Sequence, residues 1–243
     1  MILKKKRIVI TGGTSGIGYE ITKHLHSENE LIVIARNAAR LTTLMQEFEG
    51  IYTFQADLCH SEEVKTVADT IVKQFDSIDV LINNAAIQNT PRYLDDDFSF
   101  ESISREISLN FTSVCHFSYL FLPALLHKQQ AVILNINSGL ALAPKTSSAI
   151  YCATKGALNI FTQSLRYQLE NTNISVQQAI LPLVDTAMTM GRGKNKLSTK
   201  TAARHIIRGI ERNIPDHDIG KVKLLRLLLR LAPSFAHRML KYA

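Results

Sequence analysis

The sequence predicts an α/β fold: one doubly wound parallel sheet of order 3-2-1-4-5-6, with helices on both faces. Three observations carry that expectation. Short β-branched runs alternate with longer stretches of helical spacing. The runs are apolar almost throughout, as strands covered on both sides must be. The first run leads directly into a glycine-rich loop.

Arg7–Thr11 is the first strand, and the loop Thr11-Gly12-Gly13-Thr14-Ser15-Gly16-Ile17-Gly18 after it holds four of the chain's 11 glycines. Between a strand and a helix, such a loop lets backbone N–H groups and the helix dipole approach a pyrophosphate. The second strand, Leu31–Ala35, ends in Arg36-Asn37 with no carboxylate to take a ribose 2′-hydroxyl. Arg36 can instead pair with a 2′-phosphate, which favours NADP(H) while leaving NAD(H) possible. Further strands are expected at Ile51–Ala56, Asp79–Asn83, Ala131–Asn137 and Ser175–Ile180, with a seventh near Ile219. The intervening Ser61–Phe75 reads as a helix with Val64, Val67, Ala68, Ile71 and Val72 on one face.

Tyr151 and Lys155 stand one helical turn apart. A lysine so placed stabilises phenolate, and bringing a tyrosine from about 10 toward 7 takes roughly 4 kcal/mol. The spacing alone is weak, because Tyr19 and Lys23 repeat it in the helix after the glycine loop. Tyr151 differs in having Ser138 just past the Ala131–Asn137 strand, where a substrate-binding group belongs. Tyr19 and Lys23 are read as structural.

Composition narrows the class. With 46% hydrophobic and 20% charged residues the chain is globular, and three scattered cysteines suit reduced thiols in a cytoplasmic setting, with no disulfide framework and no metal site. No targeting segment or membrane-spanning run is visible. The net charge of +7 is local: Lys221, Lys223, Arg226, Arg230, Arg238 and Lys241 account for six, leaving +1 for residues 1–218. A near-neutral body argues against nucleic-acid binding. The chain therefore divides into a body, 1–220, and a basic amphipathic extension, 221–243. In the extension Pro233 breaks the pattern and Ser234 is placed to cap a short second helix. Two uses of the extension stay open: packing its leucines over the cleft or a subunit seam, and lying peripherally on anionic membrane.

Together these motifs resemble the short-chain dehydrogenase/reductases of compact, single-domain, Rossmann-type build. The resemblance runs from Arg7 to about Gly220, through Asp57, Asn83-Asn84-Ala85-Ala86, Asn110, Ser138, Tyr151 and Lys155. The stretches TGGTSGIGYE and PLVDT are similar to the DltE-like oxidoreductases within that family. The resemblance implies an NADP(H)-dependent oxidoreductase interconverting a small-molecule carbonyl and alcohol, in which Tyr151 exchanges the proton and Lys155 holds the nicotinamide ribose. Ser138 would bind the substrate carbonyl, and Asn110 would position a water linking Lys155 to solvent. Gly12, Thr14, Ser15, Gly16, Ile17 and Gly18 would cradle the pyrophosphate. Asp57 and Leu58 would meet the adenine, Asn84 and Ala85 the adenosine, and Pro182 and Thr186 the nicotinamide.

The resemblance also implies a substrate lid at Ala187–Lys200, where Met188 and Met190 offer apolar contact and Arg192, Lys194 and Lys196 offer cations. Helices Phe100–His127 and Tyr151–Asn171 would form homodimer or homotetramer surfaces. Cys152 follows Tyr151 but points about 100° away along a helix, which argues against catalysis. Two positions depart from the family pattern: Ala86 stands where a glycine is usual, and Leu183 follows Pro182 where a glycine is usual. The competing reading is a catalytically silent NADP-binding regulatory or scaffold protein; the complete Asn110/Ser138/Tyr151/Lys155 set favours the enzyme.

Overall fold

The computed structural model describes residues 1–127 and 129–242; Ala243, the last residue of the expected extension, lies outside the described residues. The sheet strands are β1 (Arg7–Thr11), β2 (Glu30–Ala35), β3 (Ile51–Gln55), β4 (Val80–Asn83), β5 (Ala131–Ser138) and β6 (Ile174–Leu181). β7 (Val184–Asp185) and β8 (Leu197–Ser198) form a small pair of their own, and β9 (Asp216–Asp218) returns to the main sheet. The main sheet is parallel, of order β3-β2-β1-β4-β5-β6-β9, so the seventh strand lies just before Ile219.

Helices α1 (Gly16–Leu25), α2 (Ala38–Glu47) and α8 (Thr199–Glu211) cover one face; α3 (Ser61–Gln74), α5 (Ser113–Leu120) and α7 (Ala149–Gln168) cover the other. Strand alternation explains the two cores. Ile8 and Ile10 of β1 point to the first and Val9 to the second, all fully buried, each worth about 2 kcal/mol. In α3, Val64, Val67, Ala68 and Ile71 are buried and Val72 packs at the margin.

Three expectations are corrected. The predicted Phe100–His127 helix is broken into α4 (Phe100–Ile107), a π-helical turn (Ser108–Thr112), α5 and the short α6 (Leu122–Leu125). The π-turn places the buried Asn110 where its side chain bonds the loop after β4, and Pro123 opens α6. Ser138 belongs to β5, paired with Leu181, because its backbone stays extended to the last ladder position. In the extension, α9 (Val222–Leu231) is followed by α10 (Pro233–Lys241), and Ala232 occupies the cap position with Pro233 as the first helical residue. Proline suits that place because the missing N–H has no partner there in any case, so Ser234 caps nothing.

Candidate active site

The carboxyl ends of β1, β2, β4, β5 and β6 open onto a cleft of about 990 Å³, where a doubly wound sheet binds its ligands. Gly12, Thr14, Ser15, Gly16 and Ile17 line one end. Gly16 adopts a left-handed φ of +55°, which turns the chain into α1. The first turn of α1 has no acidic residue and no side-chain cap, so its N–H groups and positive dipole are available to an anion. Gly18 sits behind the loop. A Cβ there would stand 2.3 Å from the Gly12 carbonyl oxygen and 2.5 Å from Asn84 Nδ2.

Asn84 and Thr11 hold that loop to β4. Asn84 Nδ2 donates to the Thr11 carbonyl at 2.9 Å, and the Thr11 hydroxyl accepts from the backbone N–H of Asn84 and Ala85 at 2.9 and 3.0 Å. Ala86, which lines the cleft, keeps a negative φ, so its Cβ brings no backbone strain.

At the far end Arg36, Asp57 and Leu58 line the cleft, as expected. Arg36 Nη1 approaches Asp57 Oδ2 at 3.5 Å. Burial works against the Asp57 carboxylate, yet the Cys59 N–H at 3.0 Å and the Arg36 guanidinium hold its pKa below the usual range. Arg40, on the first turn of α2, lines the same end and was missed in the sequence. The signal was present, since Arg40 falls in the first turn of the helix that opens directly after Arg36 and Asn37.

Ser138, Tyr151 and Lys155 meet at the centre. The Ser138 hydroxyl accepts from the Leu140 N–H at 3.2 Å, leaving its own proton to donate. Burial pushes Tyr151 up to about 12, the neighbouring Ser138 hydroxyl opposes this, and the Cys152 and Glu106 charges add to it. This corrects the expectation of a lysine-lowered tyrosine. Lys155 is itself buried, down to about 8 for that reason, and its ammonium donates to the Ile136 carbonyl at 2.8 Å. Its Nζ lies 5.8 Å from the Tyr151 ring centre.

Asn110 does not line the cleft. It is fully buried, accepting from the Ile87 N–H at 2.9 Å and donating to the Ile87 carbonyl at 2.8 Å and to Thr154 Oγ1 at 3.3 Å. The control pair separates cleanly: the Tyr19 hydroxyl donates to Glu47, and Lys23 lies over the Tyr19 ring, both outside the cleft.

The geometry joins a glycine cradle, a helix N-terminus and a Ser–Tyr–Lys cluster in one cleft. The model of the short chain dehydrogenase family matches residues 6–197. The chain belongs to the short-chain dehydrogenase family. Its family makes it an oxidoreductase. It is 35% identical over 189 residues to the "uncharacterized oxidoreductase DltE" of Bacillus subtilis strain 168, covering 77% of this chain and 75% of that one. It is 28% identical over 210 residues to an "uncharacterized oxidoreductase" of Staphylococcus epidermidis, covering 84% and 90%. A short-chain dehydrogenase of Burkholderia cenocepacia, solved in complex with NADP, superposes with a TM-score of 0.88 at 20% identity over 99% of both chains. One from Sphingobium yanoikuyae, in complex with NADPH, gives 0.80 at 23% identity over 96% and 94%.

Further along the cleft, Pro182 and Thr186 line the wall, and the segment expected to form a lid departs from its expected bounds. It closes at Ser198, because β8 pairs with β7 and α8 starts at Thr199, placing Lys200 in a helix. Lys196 is engaged within the lid by Asp185 at 3.3 Å and the Thr189 carbonyl at 2.6 Å, and Arg192 by the Met188 carbonyl. Leu183, which stands where the family usually has a glycine, packs its side chain against Gly193. Leu140, Leu225 and Met239 complete an apolar wall; Leu225 bears out the expectation that the extension packs leucines over the cleft, while Leu140 and Met239 were missed in the sequence.

Proposed function

We propose that this dehydrogenase is an NADP(H)-dependent carbonyl reductase or alcohol dehydrogenase acting on an apolar small molecule. The observation that carries the reading is Ser138 beside Tyr151, on the same cleft as the glycine cradle. The residues present fit a dinucleotide. Glycine backbone and the α1 N-terminus suit the pyrophosphate, and the Arg36 and Arg40 guanidiniums suit a 2′-phosphate. When bound, the nicotinamide supplies or accepts the hydride.

The chain's own residues then handle the proton. Ser138, already accepting from Leu140, donates to the substrate carbonyl oxygen and orients it toward Tyr151. Tyr151, neutral because burial holds its pKa near 12, donates its proton as charge develops on that oxygen. The same group, deprotonated, would accept the proton in the reverse, alcohol-oxidising direction. Lys155, with its pKa near 8, exchanges protons within reach of Tyr151 and is placed to hold ribose hydroxyls. Asn110 spends its side chain on Ile87 and Thr154, so any water it positions is held by its backbone.

Exposed Tyr119 on α5, with Ile160 and Tyr167 on α7, supports a homo-oligomer through those helices. The test of function is NADPH oxidation with a panel of aldehydes and ketones, weighted toward apolar ones. Wild type turns over and Tyr151→Phe binds NADPH equally while losing turnover by about a thousandfold or more. Equal rates for the two proteins refute the proposal and leave the silent cofactor binder.

A further inference from the structure

The extension has one side on the body and one side on nothing. Val222 and Leu225 of α9 and Ala236 of α10 are buried against the body, and Arg226 is anchored to Asp218 at 2.9 Å. The far end is tied as well: the Thr146 hydroxyl and N–H both donate to the Lys241 carbonyl, at 2.6 and 2.9 Å. The two helices are therefore held in place, and what they turn outward is a built surface.

That outward surface has the same layout on both helices. At about 100° per residue, Leu224, Leu227 and Leu231 fall within about 60° of one another on α9, as do Phe235, Met239 and Tyr242 on α10 and its end. All six are exposed. Lys223 and Arg230 flank the first ridge, and Arg238 and Lys241 the second, between the apolar ridge and the buried face. The extension from Gly220 onward contains no acidic residue. Among the described residues, Arg226 is the only one of its six cations in an ion pair. No helix among the described residues is long and apolar enough to cross a membrane.

We infer that α9 and α10 form a docking surface for an anionic lipid bilayer, lying in the interface with the apolar ridges inserted and the cations on lipid phosphates. Charge complementarity selects this occupant. A second copy packed on the same patch by two-fold symmetry would set unpaired cations against the same cations, with no carboxylate on either side. The surface also has a geometric link to the cleft. Met239 belongs to both, and Leu240 and Leu225 line the cleft from the same helices, so an apolar molecule leaving the bilayer meets the cleft wall first.

Co-sedimentation of the full chain with vesicles tests this directly. Vesicles of phosphatidylcholine mixed with phosphatidylglycerol are compared with phosphatidylcholine alone, at about 0.05 and about 0.5 M salt. The expected result is binding to the anionic vesicles at low salt, weakened at high salt and absent from pure phosphatidylcholine. The combined Lys223→Gln, Arg230→Gln, Arg238→Gln variant binds about a hundredfold more weakly, at about fivefold per cation. Leu227→Ser with Leu231→Ser and Phe235→Ser abolishes binding, with the thermal melt and the light-scattering mass unchanged. Wild type remaining in the supernatant with anionic vesicles overturns the inference. So does equal binding to both vesicle types, and so does a fall in oligomer mass on the serine substitutions, which assigns the ridge to a subunit or protein seam.

Discussion

The ammonium of Lys155 donates to the Ile136 carbonyl at 2.8 Å, so the end of β5 holds the lysine in a buried position beside Tyr151. Burial lowers its pKa from 10.5 to about 8. Below pH 8 the fold bears the whole cost of the buried cation. Between about 8 and 10.5 the unfolded chain binds more protons than the folded one, so stability rises with pH. The linked amount is up to about 3 kcal/mol. Urea unfolding from pH 7 to 10.5 is expected to show that rise in wild type and a flatter profile in Lys155→Met; parallel profiles would refute it.

Glu106 on α4 is buried, with one oxygen accepting the Asn89 N–H at 2.9 Å. Burial raises its pKa above the ordinary 4.5, and the Asn89 bond only partly opposes this. The folded state therefore binds the extra proton, and stability falls as pH climbs from 4.5 through the raised value. Glu106→Gln keeps an acceptor for Asn89 and removes the buried charge, so it should be more stable than wild type at pH 7 and lose the acid-side slope. It also removes a charge that raises Tyr151, so the pH profile of alcohol oxidation moves to lower pH. Thermal melts at pH 5 and 8, with a rate profile, check both parts.

Gly18 is the glycine whose replacement the cleft tolerates least. The Gly12 carbonyl oxygen and the Asn84 side chain both occupy the place of a Cβ, at 2.3 and 2.5 Å. Gly18→Ala has to displace the loop that faces the pyrophosphate. The expected cost is about 1–3 kcal/mol of stability together with loss of NADPH binding, read by a melt and a fluorescence titration. An alanine variant with native affinity would mean that the loop does not cradle the cofactor.

Arg36 is shared with Asp57, whereas among the described residues Arg40 has no ion-pair partner. A charge-assisted bond to a 2′-phosphate is worth about 1.5–3 kcal/mol, or roughly tenfold or more in affinity. Arg40→Ala should weaken NADPH at least as much as Arg36→Ala, and neither should change NADH. Titration of both cofactors decides it; tighter NADH than NADPH binding by wild type refutes the 2′-phosphate assignment.

The strands, the glycine loop and the Tyr151–Lys155 helix were legible because their signals are local. Ile8-Val9-Ile10 reads as a buried strand wherever it sits, and Gly12 to Gly18 announces a strand-to-helix turn within seven residues. Asn110 was legible as a residue and not as a contact, since its partner Ile87 lies 23 positions away and only the π-turn brings them together. Spacing also misled where burial decides the sign. The turn between Tyr151 and Lys155 suggested a lowered phenol pKa, whereas the low-dielectric surroundings raise it and lower the lysine instead.

The basic extension divides the same way. By itself the sequence determined the amphipathic pattern and the position of every cation, because helical periodicity is written in consecutive residues. Only the tertiary structure decided which leucines turn inward. Leu225 reaches the cleft and Leu224 faces outward because Asp218 at the end of β9 and Thr146, far back along the chain, hold the two helices at one rotation.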